Sequence, residues 1–163
     1  MFDHEKLEVY KLELLFITWA TPLLKELKED RTASLSEVRD QLDRASLSAL
    51  LNTAEGNSKR YKNVRAKYFD DARGSATESA ACLDAIVAKG ACESNRVDEG
   101  KDILLRIVQM LTRLVQNNSS NGYVKEETAA YIVLPEENSE LLTSEYDYEY
   151  EYDAQLKHEH DNP

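Results

Sequence analysis

At 163 residues, with five Gly, three Pro and 42% apolar residues, the chain is long enough to bury one core and too poor in turn-forming residues for an all-β fold. Its formal net charge of -11 is unevenly spread: residues 1–117 hold 18 Lys and Arg against 19 Asp and Glu, and residues 118–163 hold 2 against 12. The first part is almost neutral, so the overall acidity does not exclude nucleic-acid binding there.

No stretch reaches the roughly 20 apolar residues of a membrane span, and charged residues follow Met1 in place of a signal pattern, so a cytoplasmic protein is expected. Cys82 and Cys92 match no zinc or redox spacing and read as reduced thiols.

From Leu7 to about Glu29 apolar residues recur at helical spacing in two sets. One is Leu7, Tyr10, Leu14, Ile17 and Leu24; the other is Leu12, Phe16, Trp19, Leu23 and Leu27. At about 100° per residue the sets point to opposite sides, so the helix is expected to be covered twice, once by its own bundle and once by another subunit. Leu12, Phe16, Trp19 and Leu23 are the candidate subunit contacts. Pro22 predicts a kink or a local break near residues 18–22.

Ser34 or Ser36 can cap a second helix over roughly Leu35 to Glu55, with Val38, Leu42, Ala45, Ala49 and Leu50 buried and Gly56 with Asn57 as its stop. The third helix is expected from near Arg60 to Lys89, about 45 Å long, with Gly90 as terminator. Its seam is Phe69, Ala72, Ala76, Ser79, Leu83 and Ile86, and its waist of small residues suits close packing by the helix carrying Phe16 and Trp19. Ser94 or Asn95 can cap a fourth helix to about Gln116, apolar at Ile103, Leu104, Ile107, Val108, Leu111, Leu114 and Val115. The pattern predicts an all-α, antiparallel up-and-down four-helix bundle over residues 1–117.

Residues 118–163 form an acidic, Tyr-rich tail. Tyr131 to Leu134 is a short apolar run closed by Pro135, and Tyr146, Tyr148, Tyr150 and Tyr152 alternate with acids; the charge density predicts a largely disordered segment. Such a tail can compete with RNA by presenting carboxylates in place of phosphates, act as a solubilising appendage, or recruit a partner protein. His158 and His160 lack a fixed third ligand, so no metal site is expected. No nucleophile elbow, phosphate loop or paired-His zinc helix is present, so neither an enzyme nor a cofactor is expected.

One run carries a resemblance: Arg44, Ala45, Ser46, Leu47, Ser48, then Asn52, Thr53, Ala54, Glu55, Gly56, Asn57, Lys59 and Arg60, with Phe69, Ala72, Arg73, Gly74, Ser75 and Glu78 downstream. With Leu7, Glu8, Val9 and Tyr10 at the opening, this resembles the 23S rRNA-intervening-sequence, or four-helix-bundle, protein family over residues 2 to about 117. The sequence departs from the family at Leu50, where a proline is usual. The resemblance implies a homo-oligomer, a ring of five, without catalytic residues. A relative in fold, the accessory protein of diversity-generating retroelements, binds nucleic acid and a reverse transcriptase, which is an analogy of fold.

Two groups of polar residues are candidates for function. Arg44, Asn52, Glu55, Gly56 and Glu78 form the signature network, readable as a ligand pocket between the second and third helices or as a network that fixes helix register. Lys59, Arg60, Lys62, Arg65, Lys67 and Arg73, interleaved with Tyr61, Tyr68 and Phe69, can hold phosphates and stack bases, or be a solvated helix face. The partners expected are further copies of the chain, and RNA or a nucleic-acid-associated protein.

Overall fold

The structure is a computed structural model that describes residues 1–29 and 33–119. The chain divides into two units, Met1–Val124 and Lys125–Pro163, and every described residue lies in the first. The tail features, from the Tyr131–Leu134 run to His158 and His160, fall outside the described residues.

A 3-10 turn at Asp3–Lys6 leads into α1, Glu8–Glu29. Then follow α2, Ala33–Ser58, and α3, Lys62–Ala88. A second 3-10 turn, Ser94–Arg96, precedes α4, Asp98–Asn118. Among the described residues there is no strand, and no helix is long and apolar enough to cross a membrane.

Each helix buries one seam. In α1 the buried positions are Val9, Glu13, Phe16, Ala20, Leu23 and Leu27, an alternation of four and three residues that keeps one stripe facing inward. α3 contributes Phe69, Ala72, Ala76, Ser79, Leu83 and Ile86, the seam its sequence predicts, and α4 contributes Gly100, Ile103, Leu104, Ile107, Leu111 and Val115.

α1 packs on α2 and α4, and α3 packs on α2 and α4, which puts α1 and α3 on opposite corners. Facing residues run in opposite chain directions: Gln41 meets Glu78 and Ser48 meets Ser75. Likewise Glu26 meets Arg96, and Trp19 lies over Gly100. The fold is therefore an all-α, up-and-down, antiparallel four-helix bundle.

Several local expectations change. α1 continues through Pro22 without a break; the Thr18 and Thr21 hydroxyls donate to the carbonyls of Leu14 and Ile17. α2 does not stop at Gly56 but runs on to Ser58. A Cβ at Gly56 would stand 2.9 Å from the Cβ of Tyr68 and 3.1 Å from Cε1 of Phe69, so this glycine serves the approach of α3. Gly90 does terminate α3. Its φ is 70°, its N–H donates to Val87 and that of Ala91 to Ile86, the paired bonds of a Schellman ending. α4 has no Ser94 or Asn95 cap; Val97 occupies that position without a side-chain hydrogen bond.

The waist of α3 does not receive α1. Its Ser75 faces Ser48 of α2, and Trp19 goes to α4, where a Cβ on Gly100 would lie 2.2 Å from the indole Cζ3. Leu12, Phe16, Trp19 and Leu23, expected to face a partner, turn inward: Phe16 and Leu23 are 2% and 1% exposed, and Leu12 and Trp19 pack against the same core. The outward leucines of α1 are Leu14 and Leu15, 43% and 49% exposed.

Candidate functional site

The basic stretch starts where α2 ends. Ser58 closes that helix by donating to the carbonyl of Glu55, and Lys59 bonds back to Gly56. The chain turns through Arg60 and Tyr61 into α3, whose first residue is Lys62. Tyr61 is 74% exposed. Arg60 and Lys62 are exposed and make no ion pair among the described residues.

The other four cations are engaged within the chain. Lys59 Nζ lies 2.7 Å from Glu55 and 4.7 Å from the centre of the Tyr68 ring. The hydrogen bond with Lys59 holds the Glu55 carboxyl below its ordinary value and, reciprocally, the ammonium above its own. Arg65 donates to Asn57 Oδ1 at 3.2 Å and stands over Phe69, while its buried Nε has no hydrogen-bond partner among the described residues. Lys67 pairs with Asp71 at 2.9 Å, which raises its pKa, and Arg73 pairs with Asp70 at 2.9 Å.

These six residues do not make one surface. Lys67 and Arg73, six positions apart on α3, point about 120° away from each other. Proximity in sequence gathers them, and the helical turn spreads them again. The compact part is the turn itself, an exposed tyrosine between two cations unpaired among the described residues, with Lys59 and Arg65 behind it.

The signature residues lie along the seam between α2 and α3 in separate stations. Gln41 accepts from Arg44 and donates to Glu78. The Ser48 hydroxyl meets that of Ser75 at 3.0 Å and accepts from Asn52 at 3.2 Å. Glu55 is taken by Lys59, and Gly56 marks the close approach. Arg44 and Glu55 are eleven residues apart, about 16 Å along the helix, so no single pocket includes them all. Cross-helix bonds at successive levels hold α2 and α3 in register. Arg44 and Glu78 also line an open groove of about 750 Å³.

Glu13 is a residue that the sequence reading misses. It is 2% exposed, Thr53 of α2 donates to its Oε1 at 2.7 Å, and its Oε2 is buried with no hydrogen-bond partner among the described residues. Burial pushes its carboxyl up to about 8, against the smaller opposing pull of the Thr53 hydroxyl. The signal for it is the four-three alternation of Val9, Glu13 and Phe16, which places an acid on the seam.

Cys82 is buried and Cys92 half-buried, both as free thiols; burial raises the pKa of each, which lowers the thiolate fraction near neutral pH and slows their reactions there. Among the described residues no group of His, Cys, Asp and Glu is placed to hold a metal ion.

No curated protein matches the chain. The family model described as 23S rRNA-intervening sequence protein matches residues 5–113, from the 3-10 turn before α1 to the last turns of α4. With that span taking in α1 to α3 and most of α4, the chain belongs to the 23S rRNA-intervening sequence protein family.

Proposed function

We propose that the chain is a non-enzymatic, homo-oligomeric, cytoplasmic helical-bundle protein that binds structured RNA through the turn between α2 and α3. The observation that carries this reading is the grouping of Arg60, Tyr61 and Lys62: two cations with no counter-ion among the described residues, beside an exposed ring. Phosphates favour such cations because binding releases condensed counter-ions, and an exposed ring offers a stacking surface to an unpaired base. Arg65, which makes no ion pair among the described residues, contributes field, whereas Lys59, Lys67 and Arg73 are matched by Glu55, Asp71 and Asp70. Repetition of the turn around a ring of subunits, five by family resemblance, raises avidity without new interactions.

The test is binding of a labelled RNA hairpin to the full chain over a range of salt. The double substitution Arg60→Glu with Lys62→Glu is expected to weaken binding at least tenfold and flatten the salt dependence, by about one unit of slope for each phosphate that is no longer neutralised. Unchanged affinity and slope would remove the turn from consideration.

A second reading, a protein-assembly scaffold whose acidic tail recruits a partner, is favoured by the outward leucines. α1 and α2 are neighbours, and Leu14 and Leu51 are exposed at the level of the Glu13–Thr53 bond, with Leu47 one turn earlier on α2. Exposed large apolar residues grouped on one face mark interaction surfaces. A bound partner without any RNA affinity would select this reading.

A further inference from the structure

α2 and α3 separate along their seam. At Gly56 the backbone of α2 almost touches Tyr68 and Phe69. Two turns earlier on α2 the short hydroxyls of Ser48 and Ser75 still meet. Two further turns along, the hydrogen bond across the seam is made by the long Gln41 side chain reaching Glu78. Around and beyond that bond the helices leave an open groove of about 750 Å³.

Its floor is apolar and made of small side chains: Val38 from α2, and Ala81, Cys82 and Ala85 from α3. Its edges carry Glu37, Asp40 and Glu78. Asp40 is held by Arg39 and Glu78 accepts from the neutral Gln41, while Glu37 makes no ion pair among the described residues. The lining cation, Arg44, is turned to Gln41.

The geometry points to this groove as a docking site for an amphipathic helix of a partner protein, with a narrow face of Ala- to Leu-sized residues flanked by Lys or Arg. Small floor residues let a third helix approach to the roughly 8–10 Å of packed helices. From Glu78 to Ala85 the floor is about 10 Å long, enough for anchors at i, i+3 or i+4, and i+7. The acidic edges complement basic flanks and repel phosphates, so this surface selects protein where the turn between α2 and α3 selects RNA. The site lies toward the other end of α2 from that turn, and its occupancy does not depend on RNA binding.

The acidic residues after 118 also attract cations, so the readout must be local, and the two thiols supply one. Cys82 lines the groove; Cys92 lies beyond the end of α3. The full chain is alkylated with iodoacetamide at mildly alkaline pH, and the modification of each cysteine is followed by mass spectrometry. The probe is an 18-residue cysteine-free peptide, Leu and Ala on one face and Lys elsewhere; the control peptide carries Glu in place of Lys.

The Lys peptide is expected to slow modification of Cys82 at least fivefold and leave Cys92 unchanged, with no effect from the Glu peptide. Ala81→Trp, which fills the groove from an exposed position, is expected to abolish the difference while circular dichroism stays the same. Equal effects at both cysteines, or none at Cys82 when the peptide is bound, would overturn the proposal. So would protection of Cys82 by a second copy, seen as a dependence on protein concentration without peptide, or protection by an RNA hairpin.

Discussion

Glu13 is an acid in the place of a core residue. With one oxygen bonded to Thr53 and the other unpartnered, it is held most comfortably as the neutral acid, because a buried charge without a counter-ion is expensive. Its folded pKa, about 8, lies above the ordinary 4.5. Below about pH 4.5 both folded and unfolded chains carry the proton, and the contribution to stability is at its maximum. As pH rises toward 8 the unfolded chain releases the proton and the folded chain keeps it, so stability falls by up to about 1.4 kcal/mol per pH unit. Above 8 the loss is complete. Glu13→Gln keeps an acceptor for Thr53 and removes the charge. Its melting temperature is expected to match the parent near pH 5 and exceed it by roughly 5–10 °C at pH 8. Thermal scans at the two pH values decide; an equal difference at both would mean that ionisation at this position does not govern stability.

Helix pairing follows from a few side chains whose roles differ in legibility. The seam of α3 and the apolar face of α4 are plain in the sequence, since large apolar residues recur there without interruption. α1 is harder because Glu13 interrupts its buried stripe: treated as polar, it hides the alternation from Val9 to Leu27 and makes two partial stripes look equal. Gly56 misleads because Gly followed by Asn also ends helices, and one sequence does not separate a glycine used for φ from a glycine used for closeness. The basic stretch is legible as composition only, since pairing with Glu55, Asp70 and Asp71 requires the helices to exist. Gly100 belongs to the hidden group. Gly100→Ala places a methyl group against the Trp19 ring and is expected to cost about 1–3 kcal/mol, the range for overpacking. In a Trp19→Leu background most of that penalty should vanish. Denaturant melts of the four proteins measure the coupling, and a penalty independent of residue 19 would refute the close approach as its cause.

For the bundle as a whole, the leucines that remain outside matter more than those within. Leu47 and Leu51 are 51% and 57% exposed on one side of α2, with Leu14 on the neighbouring helix at 43%. Leu47→Glu with Leu51→Glu is expected to reduce the particle mass measured by sedimentation or native mass spectrometry while leaving helical content unchanged. A parent protein that already sediments as a monomer, or a variant of unchanged mass, would rule out this face as a subunit contact. The choice of these residues over Phe16 and Leu23 comes from burial inside the single chain, which the sequence pattern alone does not assign.

An even number of antiparallel helices brings the N-terminal 3-10 turn beside the end of α2, where the two are in contact. The turn carrying Arg60, Tyr61 and Lys62 is therefore at the same end as Met1, and the link from Gly90 to Asn95 is at the other. A purification handle fused to Met1 would crowd the cationic turn and depress an apparent RNA affinity. A biotin or fluorophore carried at Ser94 or Asn95 instead leaves that end open, so surface immobilisation from the α3–α4 link presents each bundle turn-first to the solution.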